Sequence, residues 1–123
     1  MPESNDLQQL SRQFTVYMYE TVNMLSKIGY NATRFLHMLN NKKDGPSVAT
    51  RLILGDASDG LWRLKELNRL DLSVEMAVLL PRFEELFDEL VRESARFKLD
   101  QMGFKLEAHL RSLKISRQKF LLD

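Results

Sequence analysis

The sequence predicts an all-α fold: an irregular or orthogonal bundle of six or seven helices with one long N-terminal helix. Three observations predict it. Apolar residues recur at steps of three and four along most of the chain, the period of a helix face. No stretch sustains apolar–polar alternation, and no Asn-Gly or Gly-Gly pair separates β-branched runs, so strands and hairpins have no signal. Clusters of Gly, Pro, Asn, Asp and Ser interrupt the periodic stretches at close intervals, as short helix connections require. The stretches between them are very unequal in length, which argues against a regular four-helix bundle.

Residues 5 to 28 carry the clearest period. Leu7, Leu10, Phe14, Tyr17, Thr21, Met24 and Ile28 follow one another at alternating steps of three and four, and Met18, Val22 and Leu25 widen the stripe. Ser4, Asn5 and Asp6 offer N-caps. Gly29 suits the residue just past the helix end, with Tyr30 closing over Leu25. A heptad of this kind fits a coiled-coil dimer or one long helix lying across a small bundle. Thr21 in the seam and a run of only three and a half heptads favour the second.

Asn31 is placed to cap a second helix reaching about Asn40, with Phe35, Leu36 and Leu39 inward. Lys42 to Ser47 reads as a loop, since Asp-Gly and Gly-Pro are strong breakers. Ser47 then caps Val48 to Leu54, and Gly55 ends it. Asp56, Ser58 and Asp59 crowd the next helix start, where acids suit free N–H groups and the helix dipole. That helix carries Leu61, Trp62, Leu64 and Leu67. Arg69 to Leu72 is a corner. Ser73 caps Val74 to Leu80, and Pro81 stops that run or opens the next turn. The segment around Trp62 and the 74 to 80 run is expected at the centre of the core.

Residues 82 to 102 form another helical stretch, with a break expected near Phe87. Phe83, Leu86, Phe87, Leu90, Val91, Phe97 and Met102 are expected to line it, and Gly103 ends it. The tail has Leu106, Leu110 and Leu113 at helical spacing. The chain therefore reads as one domain, with a helical core over 1–104 and a basic helical extension over 105–123, packed on that core or projecting from it.

Several pieces taken in order carry a resemblance: Gly29-Tyr30-Asn31-Ala32-Thr33-Arg34-Phe35-Leu36, Ser58-Asp59-Gly60-Leu61-Trp62, Arg69-Leu70-Asp71-Leu72-Ser73-Val74-Glu75, Leu86-Phe87, Ala95-Arg96 and Gly103-Phe104. Together they resemble a group of small bacterial and mobile-element helical proteins with no assigned function. The similarity spans roughly residues 10 to 104, and Arg69 to Glu75 is its most specific piece. It implies a bacterial or phage setting and carries over no activity and no functional residue. The chain departs from the pattern at residues 88 to 93 and beyond Phe104.

Composition excludes several chemistries. The chain has no cysteine, so disulfides, thiolate ligands and a cysteine nucleophile are out. The longest strictly apolar run, Met76 to Leu80, is far short of the ~20 residues that span a bilayer. The polar, acidic start Met-Pro-Glu-Ser-Asn-Asp lacks the features of a signal peptide. A cytoplasmic protein without membrane contact is expected. Two histidines, His37 and His109, lie in different predicted helices without a second His one turn away, so no metal site is expected. No glycine-rich phosphate loop and no nucleophile elbow is present. No cofactor and no small-molecule substrate are expected.

Two pairs of acids are candidates for acid–base work: Asp56 with Asp59, and Asp71 with Glu75. Both sit at helix starts, where acids cap, and Arg69 stands ready to neutralise Asp71 or Glu75. The corner from Leu61 to Leu80 resembles a helix-turn-helix only in outline. Its second helix would be Val-Glu-Met-Ala-Val-Leu-Leu, too apolar to read base edges.

Charge is unevenly spread. Residues 105 to 123 hold five Lys/Arg against two Asp/Glu, a net of +3, while residues 84 to 93 hold five acids and one arginine, a net of −4. The two segments can answer each other within one fold or across a dimer. Alternatively, the basic one can follow a phosphate backbone. The expected function is a non-enzymatic helical interaction module that binds a protein partner or a second copy of itself. Its expected contacts are Phe14, Tyr17 and Met18 on the first helix and Lys105, Arg111, Lys114, Arg117, Lys119 and Phe120 on the tail. The alternative is a nucleic-acid-binding accessory protein using that tail. A third reading is a small enzyme using Asp71 or Glu75.

Overall fold

The computed structural model describes the backbone of residues 2–55 and 59–122 and the side chains of residues 6–55 and 60–114. Among the described residues there is no strand. The helices are α1 (Pro2–Lys27), α2 (Thr33–Lys42), α3 (Gly45–Leu54), α4 (Asp59–Glu66), α5 (Val74–Val78), α6 (Glu89–Gln101) and α7 (Leu106–Leu122). Two 3-10 turns, Leu70–Leu72 and Pro81–Leu86, flank α5. The irregular all-α bundle with one long first helix is what the spacing predicts.

α1 lies across the bundle against α3, α2 and the Pro81–Leu86 turn. Phe14, Met18, Thr21 and Leu25 are its buried line. These positions step by four, three and four, so one face of a straight helix can hold them all. Thr21 is tolerated there because its hydroxyl donates to the Tyr17 carbonyl at 2.9 Å. The ends of the predicted stripe do not bury: Leu7, Met24 and Ile28 stay exposed. α1 stops where Gly29 takes φ +88°, a left-handed angle that costs glycine little. The Tyr30 amide then returns to the Leu25 carbonyl at 3.0 Å, as a Schellman end requires.

Several helix starts differ from expectation. Ala32, with no side-chain bond, occupies the N-cap of α2 in place of Asn31. α3 begins at Gly45, so part of the expected loop is helical. Its cap is Asp44, which accepts the Ser47 amide at 3.2 Å and the Ser47 hydroxyl at 3.1 Å. Pro46 in the first turn fits, because that turn has no carbonyl to lose a bond to. Asp56 and Ser58 and the Asp59 side chain lie outside the described residues. α4 ends at Asn68, whose φ of 59° lets the Arg69 amide reach the Leu64 carbonyl at 2.8 Å.

Ser73 caps α5 as expected, accepting the Met76 amide at 3.0 Å. α5 is shorter than the apolar run, and Pro81 opens the second 3-10 turn. The expected break falls at Phe87 and Asp88. Asp88 Oδ1 accepts the Val91 amide at 3.0 Å and so starts α6.

Met76 to Leu79 are all buried between α3, α6 and the turns. The middle of the chain is core filling, as expected of so apolar a run. Trp62 is a correction: it is 50% exposed, with Lys65 Nζ 5.0 Å from its ring centre. Leu61 and Leu64 turn inward instead, and one helix face cannot also take position 62. Leu90 and Phe97 are a second correction, both 64% exposed. α6 buries Val91, Ala95 and Leu99, which puts Leu90 and Phe97 on the outward side. α7 packs on α6 through the partly buried Leu106 and Leu110. The Phe104 and His109 rings meet at 5.5 Å beside them.

Candidate functional site

α1, α2, α4 and the corner leading into α5 do not close completely. They leave a cleft of about 300 Å³. Val22 and Leu25 of α1, Phe35 and Met38 of α2, and Leu61 and Leu64 of α4 form its apolar walls. The stretch from Leu72 to Glu75 also lines it. The Tyr30 hydroxyl sits over Gly60, 3.0 Å from where a Cβ would stand there. Burial pushes the Tyr30 hydroxyl above its ordinary pKa, and the nearby Arg63 charge opposes this.

Glu75 is the unusual member of the lining. It is 8% exposed, in the first turn of α5 just inside the Ser73 cap. Burial pushes its carboxyl above the usual carboxylate range; its own backbone amide and then the charge of Lys98 oppose that push. Among the described residues no side chain donates a hydrogen bond to it. Lys98 Nζ instead donates to the Gly55 carbonyl at 3.1 Å.

No family model, no curated protein and no solved structure matches the chain. The site is therefore read from its own atoms.

Asp71 does not share the cleft with Glu75. Arg69 grips it from both nitrogens, Nε to Oδ1 at 3.1 Å and Nη2 to Oδ2 at 3.2 Å. The two acids thus face different partners and do not form an acid–base pair. Among the described residues no group of three His, Cys, Asp or Glu converges as a metal site would need.

Of the contact residues expected on α1, the structure corrects Phe14 and Met18. Phe14 and Met18 are fully buried and present nothing to a partner. Phe14 meets Phe83 and Phe87 edge-on, each with ring centres 5.0 Å apart. Their place in the stripe made them core, since α1 has structure to lie against. Tyr17 is half-buried, and its ring lies 5.0 Å from the Arg82 guanidinium. Burial pushes its hydroxyl pKa up, against the pull of Arg82 and the Thr21 hydroxyl. Tyr17 and Arg82 border a second, shallower groove of about 340 Å³ beside Arg12 and Glu20.

The tail residues fare differently. Lys105, Arg111 and Lys114 are exposed. The side chains of Arg117, Lys119 and Phe120 lie outside the described residues. Among the described residues the acidic segment makes no ion pair with α7. Glu84 pairs with Arg92 at 3.4 Å, and Glu93 pairs with Arg96 at 3.1 Å.

The cleft itself had no sequence signal. Its walls come from residues far apart in the chain, and each reads on its own as core. Only Glu75, an acid interrupting an apolar run, hinted that something polar faces inward. Among the described residues no helix is long and apolar enough to cross a membrane.

Proposed function

We propose that this chain is a non-enzymatic binding module whose recognition element is the cleft between α1, α2, α4 and the start of α5. It receives a side chain with an apolar stem, inserted by a partner protein. One observation carries the reading: the cleft is apolar-walled, about 300 Å³, at the small end of ligand-sized pockets, and deeper than the groove beside Tyr17. The non-enzymatic reading is supported by the separation of its acids. Asp71 is clamped by Arg69 and does not line the cleft with Glu75.

The test is a titration of isotope-labelled protein with hexanol, followed by amide NMR. Shifts confined to Thr21, Val22, Leu64 and Ser73 are expected. Ala32→Trp, which fills the mouth from the half-buried start of α2, is expected to abolish them with the circular dichroism spectrum unchanged. Scattered shifts, or none, overturn the reading.

A second reading rests on a separate observation, the exposed Lys105, Arg111 and Lys114 on and before α7. It makes α7 a track for a phosphate backbone. Its signature is retention on DNA or RNA that falls steeply with salt. If Lys114→Glu with Arg111→Glu leaves retention unchanged, this reading is wrong.

A further inference from the structure

We infer that the group entering the cleft is a lysine side chain of the partner protein, its ammonium pairing with the carboxylate of Glu75. This rests on the reading of the cleft as a binding site and names what it selects.

Charge complementarity carries the argument. The cleft walls are apolar, and Glu75 is a nine-tenths-buried acid among them. Among the described residues Glu75 makes no ion pair: Lys98 acts on it through its charge, while its ammonium donates to the Gly55 carbonyl. Among the described residues the other charged group lining the cleft is Arg34, which is exposed. Water and salt weaken its repulsion of an incoming cation. An incoming anion would meet the Glu75 charge in a largely buried site, where water screens that repulsion less. A neutral alcohol would fill the space but leave the acid uncompensated.

Lysine fits this combination better than other cations. Its stem is aliphatic and can lie along Leu61, Leu64 and Val22, while its compact charge sits at the tip. The Glu75 carboxyl is largely enclosed in the first turn of α5, and its own backbone amide favours its charged form. It therefore suits a single-point donor more than the two-pronged guanidinium of arginine. Burial has already cost the acid much of its hydration, so association has chiefly the ammonium left to desolvate.

The experiment compares hexylamine, hexanol and hexanoate on the full chain at neutral pH by amide NMR. It then compares the peptides acetyl-Leu-Lys-Leu-amide and acetyl-Leu-norleucine-Leu-amide. Hexylamine is expected to bind at least about tenfold more tightly than hexanol, with hexanoate weakest, and the lysine peptide more tightly than the norleucine peptide. Glu75→Gln is expected to erase both preferences, and Glu75→Met serves if the amide variant folds poorly. Hexanol or hexanoate binding as well as the amine would overturn the cationic assignment and leave the cleft reading standing. Amine binding without lysine-peptide preference overturns the partner assignment in favour of a free amine. If none of the probes binds, the cleft reading falls and takes this inference with it.

Discussion

The Gly45 amide donates to the Thr15 hydroxyl at 2.8 Å, so α3 begins against the backbone of α1. The same hydroxyl donates to the Ser11 carbonyl at 3.0 Å. A Cβ at position 45 would stand 2.9 Å from the Thr15 Cα and 2.7 Å from its Oγ1. Backbone cannot yield as a side-chain tip can. Gly45→Ala is therefore expected to destabilise the fold by about 2 kcal/mol. Thr15→Val leaves a buried amide without its partner and is expected to cost about 1–2 kcal/mol. Thr15→Ser keeps the hydroxyl and should lie near wild type. Urea unfolding of the three variants measures the order, and a wild-type-like Gly45→Ala would refute the close approach.

Phe14, next to Thr15 on α1, joins that helix to the segment after α5. Its ring has Phe83 and Phe87 edge-on against it and no solvent exposure. Phe14→Ala is expected to cost about 3–5 kcal/mol, since the cavity is walled by rings that cannot collapse into it. Phe14→Leu should cost less than half of that. Equal losses for the two would mean that ring geometry, not volume, sets the energy.

Trp62 is the sole tryptophan, which makes its placement easy to check. Half of it faces water, so its fluorescence should be red-shifted and open to acrylamide. Trp62→Ala gives up the Lys65 contact and little else, and is expected to cost less than about 1 kcal/mol. A blue-shifted, protected emission would put the indole back in the core.

Helix ends were legible wherever one residue type has few uses. Gly29, Ser73, Pro81 and Gly103 each act as their chemistry demands. Ends made by less selective residues were not legible: Asp44 displaced Ser47 as a cap, and Asn68 ended α4 unannounced. Helix phase was legible where polar residues bracket the stripe, as along the middle of α1. It was illegible where apolar residues stand side by side. Leu61 and Trp62 are neighbours, and periodicity over so short a helix cannot say which turns in. On α6 the small Ala95 marks the buried side, between Val91 and Leu99, while the larger Phe97 lies outside. Size drew attention to the wrong face. The cleft depends on how four elements diverge, which no local pattern records.

Glu75 gives the molecule a pH dependence whose sign can be worked out. Burial raises its folded-state pKa above the ordinary 4.5. Below that ordinary value both folded and unfolded chains hold the proton, and the acid costs nothing. As pH rises from there through the raised folded value, the unfolded chain holds fewer protons than the folded one. Stability must therefore fall across that window and then level off. Glu75→Gln cannot ionise and escapes the loss. The variant should match wild type in acid and melt a few degrees higher at neutral pH. Lys98→Met should deepen the wild-type loss, because the Lys98 charge is one of the two influences that hold the folded pKa down. Thermal melts of the three proteins across this pH range measure the effect. A gap between wild type and Glu75→Gln that does not change with pH would mean the carboxylate keeps its water. The cleft would then have no buried acid to offer.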